Sequence, residues 1–113
     1  MRIQVKGRKG TIVDDELREH VARKVEKVAR QVSPLAELEI EVREERNPSI
    51  RDSQVVEATL HLKGVTLRAC ERSEDIGHSM NLVADDLARQ VKKHRDKRRR
   101  RREQQAQAQP HIA

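Results

Sequence analysis

A dense run of basic side chains near the C-terminal end is the feature of this sequence best suited to binding another molecule. Residues 92 to 102, KKHRDKRRRRR, hold nine Lys/Arg and one Asp, for a charge of +8. Residues 1 to 91 carry sixteen basic and seventeen acidic side chains, so their net charge is close to zero. Because a dense basic segment binds phosphates by releasing counterions, the pattern predicts a polyanionic partner. A solvated helix end or a solubility tail is the alternative.

The carboxylates and histidines show no catalytic arrangement. Asp14-Asp15 and Asp85-Asp86 are adjacent on predicted helices, so the carboxylates of each pair point about 100° apart. The histidines, at 20, 61, 78, 94 and 111, include no i, i+4 pair, and no glycine-rich phosphate loop or Ser-His-Asp set is present. The sequence therefore predicts a protein that is not an enzyme, with no metal, cofactor or small-molecule substrate.

Composition limits the chain to one small domain. It has 113 residues, a hydrophobic fraction of 35% and no Phe, Tyr or Trp, so any nucleic acid would be held by backbone and shape instead of aromatic stacking. Cys70 is the single cysteine and is predicted to be a small sheet residue. No apolar run long enough for a membrane span or signal peptide is present, which predicts no membrane partner and a cytoplasmic location.

Two segments at the start of the chain have different periodicities. Ile3 and Val5 alternate with polar residues, which is typical of a half-buried strand. A helix is then predicted to begin at residues 14 to 16, which are acidic, and to end at Ser33-Pro34. Its apolar stripe comprises Leu17, Val21, Val25, Val28 and Val32, and its opposite face carries Arg23, Lys24, Lys27 and Arg30.

Three strands are predicted in the middle of the chain. The first alternates Leu38, Ile40 and Val42 with Glu37, Glu39 and Glu41, so its outer face is acidic, and a polar loop follows. The next two, near residues 56 to 62 and 65 to 70, are separated by Lys63-Gly64, which predicts a hairpin.

A second, longer helix is predicted to begin at Ser73 to Asp75. Its apolar stripe comprises Ile76, Met80, Val83, Leu87, Val91 and His94, and Arg89, Lys93 and Arg100 project away from it. His94 is interpreted as a partly buried residue at the helix end. The residues after Glu103, QQAQAQPHIA, have nothing to bury and are predicted to be disordered or a linker.

The predicted order is βαβββα, and the fold class is α+β. Each strand offers one apolar face and each helix one apolar stripe, so both helices should pack on one face of a four-stranded sheet. The acidic sheet face would repel RNA, whereas the basic helical face would attract it.

Several segments of the chain together resemble one known family. The opening IQVKGR and the segment LREHVARKVEKV are similar to its first strand and helix, and VVEATLHLKGVTLRACERSEDIGHSMNLVADDLARQVKKHRDK is similar to its hairpin and final helix. The most specific part is EDIGHSMNLVADDLARQVKKH. The family is that of the ribosome hibernation-promoting factors, related to ribosome-associated inhibitor Y and once called sigma-54 modulation proteins. The resemblance covers about residues 1 to 97.

The resemblance implies a function. Such a domain would lie in the channel of the small ribosomal subunit, on the 70S ribosome, where messenger and transfer RNA bind, and would inhibit translation in bacteria under stress or in stationary phase. The positions that match rRNA-binding residues of the family are Lys24, Lys27, Arg30, Arg89 and Lys93. Charge alone adds Lys92, Arg95, Lys97, Arg98 and Arg100. Asp86 stands where many members carry a basic residue, so a contact at 86 is left open.

Domain organisation and two other functions remain open from the sequence. Residues 1–97 are predicted to form the ribosome-binding domain, and residues 98–113 a basic extension with a disordered tail or linker. The chain is either a short form or a fragment of a long form, and ribosome pairing through dimerisation requires a further C-terminal domain. The alternative functions are a generic double-stranded RNA-binding protein and a protein-binding regulator that uses the acidic strand face.

Overall fold

The computed structural model describes residues 1–8, 10–45 and 51–108. Its elements are β1 (Arg2–Gly7), α1 (Asp15–Ala29), β2 (Glu37–Glu44), β3 (Gln54–Leu62), β4 (Val65–Ser73) and α2 (Ile76–Ala108). The order is βαβββα, which confirms the predicted α+β class. Residues 46–50, half of the polar loop predicted between β2 and β3, lie outside the described residues.

The four strands form one mixed sheet in the order β1-β2-β3-β4. β1 and β2 are parallel because α1 returns the chain to the end of the sheet at which β1 begins. The β2–β3 and β3–β4 pairs are antiparallel. The predicted hairpin is confirmed: Leu62 pairs with Val65 across Lys63-Gly64. Gly64 has φ of +79°, a conformation that glycine adopts without the penalty of a Cβ atom.

The hydrophobic core lies between the helices and one face of the sheet. α1 buries Val21, Val25 and Val28, and α2 buries Met80, Val83, Ala84, Leu87 and Val91. The sheet contributes Val5, Leu38, Ile40, Val42, Val56, Ala58, Leu60 and Ala69. Because the chain has no aromatic residue, aliphatic side chains and Met80 fill this layer.

The start of α2 differs from the prediction at Ser73. Asp75 caps the helix, since its carboxylate accepts a hydrogen bond from the His78 N–H at 3.1 Å. Ser73 instead ends β4 and is buried, with its Oγ 2.7 Å from Ser79 Oγ. Ser79 Oγ donates to the Gln54 carbonyl at 2.7 Å, so these two hydroxyls connect the first turn of α2 to β3 and β4.

α2 also extends further than predicted. Residues 104–108, part of the segment predicted to be disordered or a linker, continue the helix. Alanine and glutamine are good helix formers, so this segment can be helical without a packing partner. Residues 109–113 lie outside the described part of the chain. The division of the chain at residue 97 stays a prediction.

The second half of α2 projects beyond the core. Val91 is its last buried residue among those described, and His94 is half-buried as predicted, although the helix does not end there. The seventeen residues from 92 to 108 extend about 25 Å at the rise of an α-helix. The molecule therefore measures 71 × 28 × 19 Å. In the described residues, no helix combines the length and apolar character needed to cross a membrane.

The sheet face opposite the helices, here called the open face, carries charges of both signs. The acidic row predicted on β2 is present and consists of Glu37, Glu39 and Glu41. β1 places Arg2 and Lys6 beside its two ends, Arg8 pairs with Glu41 at 3.2 Å, and His61 Nε2 lies 3.7 Å from Glu39. The open face is therefore mixed in charge, so the predicted acidic repulsion of RNA is weakened.

One ion pair of the open face should make stability depend on pH. The Arg43 guanidinium donates a hydrogen bond to Glu57 and holds the pKa of that carboxyl below its usual range. A lowered pKa means that the stabilisation is present above the pKa of the unfolded chain and is lost as pH falls through the folded value. We expect Glu57→Gln to lower the free energy of unfolding by about 1 kcal/mol or less near neutral pH, since Glu57 is partly exposed.

Thermal or urea unfolding of wild type and variant, near neutral pH and at about pH 3, measures this difference. The difference in stability between the two proteins should shrink as the pH falls through the lowered pKa of Glu57. Glu37→Gln, an exposed carboxylate on the same face, is the control and should change stability less at neutral pH. A Glu57→Gln deficit that persists in acid would contradict the ion-pair explanation.

Candidate nucleic-acid interface

Three of the predicted site residues lie on the solvent side of α1 or, for Arg30, directly after its last residue. The buried positions Val21, Val25 and Val28 turn one side of this helix to the core, which leaves Lys24, Lys27 and Arg30 at least partly exposed. The helix begins as predicted, because the Asp14 carboxylate accepts a hydrogen bond from the Leu17 N–H at 2.8 Å. The cap and the buried stripe together fix which side of α1 is cationic.

The cations of the two helices meet around Asp85 of α2. Lys27 crosses from α1 and forms a salt bridge with the Asp85 carboxylate, and both side chains are about half exposed. The pKa of Asp85 is lowered by that hydrogen bond first, with further contributions from the positive charges of Arg89 and Lys24. We call Lys24, Lys27 and Arg89 the seam cluster, because the positive charges of all three act on one carboxylate at the seam between α1 and α2.

A second group of cations lines a shallow groove along the exposed side of α2. The groove, here called the α2 groove, is formed by Arg89, Lys92, Lys93, Asp96, Lys97 and Arg100. Spacings of three and four residues place these side chains on one side of the helix. Arg89 belongs to both groups, so the seam cluster and the α2 groove are continuous.

Acidic neighbours neutralise part of this surface. Arg30 pairs with Glu26 at 2.8 Å, and Arg89 lies 3.8 Å from Asp86. Asp86 is also held by Gln90, whose side-chain amide donates to it at 3.2 Å. Within the described part of the chain, Lys24 and Lys93 form no ion pair, so they are the most available of the family-matched cations.

The remaining predicted residues, Arg95 and Arg98, lie on another side of α2. With Arg99 and Arg102 they line a separate concavity of the projecting segment. Arg99 also lies 3.6 Å from Glu103. The structure thus brings Arg89, Lys92, Lys93, Lys97 and Arg100 together, places Lys24 and Lys27 beside them, and leaves Arg95 and Arg98 apart.

The sequence does not identify Asp85 as a site residue. Its adjacency to Asp86 indicates an ordinary charge on a helix surface. Asp85 is indeed exposed, but this pattern does not reveal the cations near it. Lys27 comes within reach only because α1 packs against α2, and the two residues are 58 positions apart in the chain. No local sequence signal reports such a contact.

Removal of the Asp85 charge should strengthen the binding of a polyanion. Asp85→Asn releases Lys27 from its partner and removes a negative charge from the centre of the seam cluster. We expect about fivefold tighter binding to RNA, equivalent to about 1 kcal/mol, with little change in stability because the pair is exposed. Fluorescence anisotropy with a labelled RNA duplex, at two salt concentrations, measures the change.

Asp52→Asn is the matched control, because it makes the same chemical change at an exposed position outside both helices. Its effect on RNA binding should be smaller than that of Asp85→Asn. Equal gains for the two variants would mean that only net charge matters.

Across residues 1–8, 10–45 and 51–108, no three His, Cys, Asp or Glu side chains are placed to hold a metal ion. Cys70 lies on β4, as predicted, and is exposed. Partial desolvation of the sulfur atom and the charge of Glu57 raise the pKa of its thiol, which disfavours the nucleophilic thiolate.

A mixed sheet covered on one face by two helices, with cations along the seam between them, defines an α+β domain with a cationic helical face. The family model described as "Sigma 54 modulation protein / S30EA ribosomal protein" matches residues 3–99. The chain belongs to this family, which confirms the resemblance seen in the sequence.

Relatives in three bacteria carry names that refer to ribosome hibernation. The chain is 32% identical over 85 residues to the ribosome hibernation promoting factor of Azotobacter vinelandii, with 75% of each protein covered. It is 29% identical over 98 residues to the ribosome hibernation promotion factor of Picosynechococcus sp. and 31% identical over 99 residues to that of Staphylococcus aureus. Each of these two alignments covers 86% of this chain and 50% of the relative, so the chain spans about half the length of those two proteins.

Solved structures share the fold. A ribosomal subunit interface protein from Coxiella burnetii has a TM-score of 0.68 at 23% identity, with 85% of this chain and 99% of the other covered. The N-terminal domain of Protein Y from Thermus thermophilus has a TM-score of 0.72 at 21% identity, with coverage of 83% and 99%. At these identities the likeness establishes the fold.

Proposed function

We propose that this chain is a ribosome hibernation factor. It binds the small ribosomal subunit, alone or within the 70S ribosome, in the channel used by messenger and transfer RNA, and it inhibits translation under stress or in stationary phase. Family membership and the names of the relatives support the ribosome as partner and the cytoplasm as location. No step of this function requires catalysis by the chain.

The observation that carries the proposal is the continuity of the seam cluster with the α2 groove. Cations from two helices form one surface, centred on Arg89, that faces away from the core. RNA phosphates attract such a surface at long range and release counterions on contact. The rRNA contacts are assigned to Lys24, Lys27, Arg30, Arg89, Lys92, Lys93, Arg95, Lys97, Arg98 and Arg100.

Two other functions fit parts of the molecule less well. A generic double-stranded RNA-binding protein would use the projecting basic segment, which can attract any A-form RNA. A protein-binding regulator would use the acidic row of β2, but Arg8 and His61 lie against that row and Arg2 and Lys6 flank it. Because the open face has mixed charge, it gives little support for a protein partner that binds an acidic surface. The cationic helical face gives more support for RNA binding.

Sedimentation of the purified chain with small subunits, whole ribosomes and a plain RNA duplex tests the proposal. The measurement is made at low and near-physiological salt, alongside a translation assay. Ribosome-selective binding that persists at the higher salt, together with inhibited translation, is expected. Equal binding to every RNA that is lost at the higher salt would indicate a non-specific RNA binder. Ribosome binding unchanged after charge removal from both helices would favour a protein contact.

A further inference from the structure

A notch with an apolar floor lies at the end of the α1–α2 seam. It has a volume of about 170 Å³ and is bounded by the residues after α1, the β3–β4 turn and the outer part of α2. The floor is aliphatic, with Val91 buried and Val32 and Leu62 partly buried against the core. The notch is therefore a part of the core surface that the helices and the turn leave accessible.

The rim of the notch is cationic. Lys63 reaches it from the β3–β4 turn, and Arg95, Arg98 and the half-buried His94 reach it from α2. Gln31 and Ser33 add neutral polar groups, and no acidic side chain lines the notch in the described part of the chain. The α2 groove differs, since it contains Asp96 and lacks an apolar floor.

An apolar floor inside a cationic rim matches the two chemical parts of a nucleotide. The flat faces of a nucleobase pack on aliphatic or guanidinium surfaces, whereas the attached phosphate requires cations. A base-paired nucleotide cannot enter because its faces are covered by neighbouring bases. We propose that the notch takes one unpaired nucleotide of an RNA strand, with the base on the partly buried Val32 and Leu62 and the phosphate between Lys63 and Arg98.

The strand, and not a free nucleotide, is the occupant that the charge pattern favours. Arg95 and Arg98 line both the notch and the concavity with Arg99 and Arg102, so the cations continue outward along α2. A free mononucleotide would use only the rim, whereas the phosphates that flank an unpaired nucleotide can follow that path. The inference rests on RNA as the partner in the proposed function and adds a position that distinguishes unpaired from paired RNA.

The test compares two RNA hairpins of equal length, one fully paired and one with a single unpaired uridine. We expect wild type to bind the bulged hairpin about tenfold more tightly, the size of effect that one base contact contributes. Lys63→Glu should remove this preference. Arg68→Glu, which makes the same charge change at an exposed position of β4, should weaken both hairpins equally and preserve the preference.

Circular dichroism establishes that each variant is folded. Ser33→Leu, which narrows the notch without changing charge, should also remove the preference for the bulged hairpin. Equal binding of the two hairpins by wild type would overturn the proposal, as would equal effects of Lys63→Glu and Arg68→Glu on the preference. Displacement of the bulged hairpin by uridine monophosphate at micromolar concentration would mean that the notch binds a free nucleotide and does not require an RNA strand.

The same variants in ribosome sedimentation separate this inference from the proposed function. Ribosome binding without a preference for the bulged hairpin would contradict the notch proposal and leave the proposed function intact. A preference for the bulged hairpin without ribosome binding would remove the proposed function alone.

Discussion

The double substitution Arg89→Glu and Lys93→Glu is expected to abolish association with the small ribosomal subunit while the domain stays folded. Arg89 joins the seam cluster to the α2 groove, and Lys93 forms no ion pair among the described residues. Each lost contact with a phosphate costs about 1.5 kcal/mol or more, so reversal of both charges should weaken binding at least about 100-fold. Co-sedimentation with small subunits at near-physiological salt measures the loss.

Three further proteins make this result specific. Arg68→Glu with Arg72→Glu lowers the net charge by the same amount on the exposed side of β4 and should retain ribosome binding. Arg89→Gln with Lys93→Gln removes the two cations without placing new carboxylates near Asp85 and Asp86. Asp85→Asn should change binding in the opposite direction. Retained co-sedimentation of the folded glutamate variant would overturn the site assignment.

Periodicity predicts most of this fold because each element buries mainly one side, although β3 buries both Val55 and Val56. The strands repeat every two residues and the helices every three or four, and Gly64 marks the hairpin turn. The start of α2 is harder to predict, because Ser73, Glu74 and Asp75 are all plausible first residues. The choice of Asp75 depends on the bonding of Ser73 to Ser79, which exists only after β4 and α2 have packed together.

The candidate site is less predictable than the fold because its contacts are long-range. Charge and resemblance identify individual cations on each helix, but they do not indicate that Asp85 lies among Lys24, Lys27 and Arg89. They also do not place Lys63, a turn residue, beside Arg98 of α2. Both arrangements follow from how α1, α2 and the hairpin pack, and this packing is not encoded in any short segment.

The substitution Leu87→Asp is expected to unfold the domain and thereby remove every binding activity. Leu87 is fully buried on the core side of α2, between the helices and the sheet. Loss of its side chain from the core costs about 2–5 kcal/mol, and an unpaired buried carboxylate adds several more. Small domains have a total stability of about 5–15 kcal/mol, so little or none should remain. Circular dichroism and urea unfolding measure the outcome.

Leu35→Asp is the matched control, since it makes the same substitution at a residue that is 90% exposed in the connection between α1 and β2. It should unfold at nearly the wild-type urea concentration, because no apolar contact is lost and the new carboxylate stays in water. The contrast with Arg89→Glu and Lys93→Glu distinguishes the two sides of α2. A substitution on the core side should change stability, whereas substitutions on the outer side should change RNA binding. A Leu87→Asp variant with wild-type unfolding would mean that α2 does not complete the core, and the cations on its outer side would then lose their fixed position.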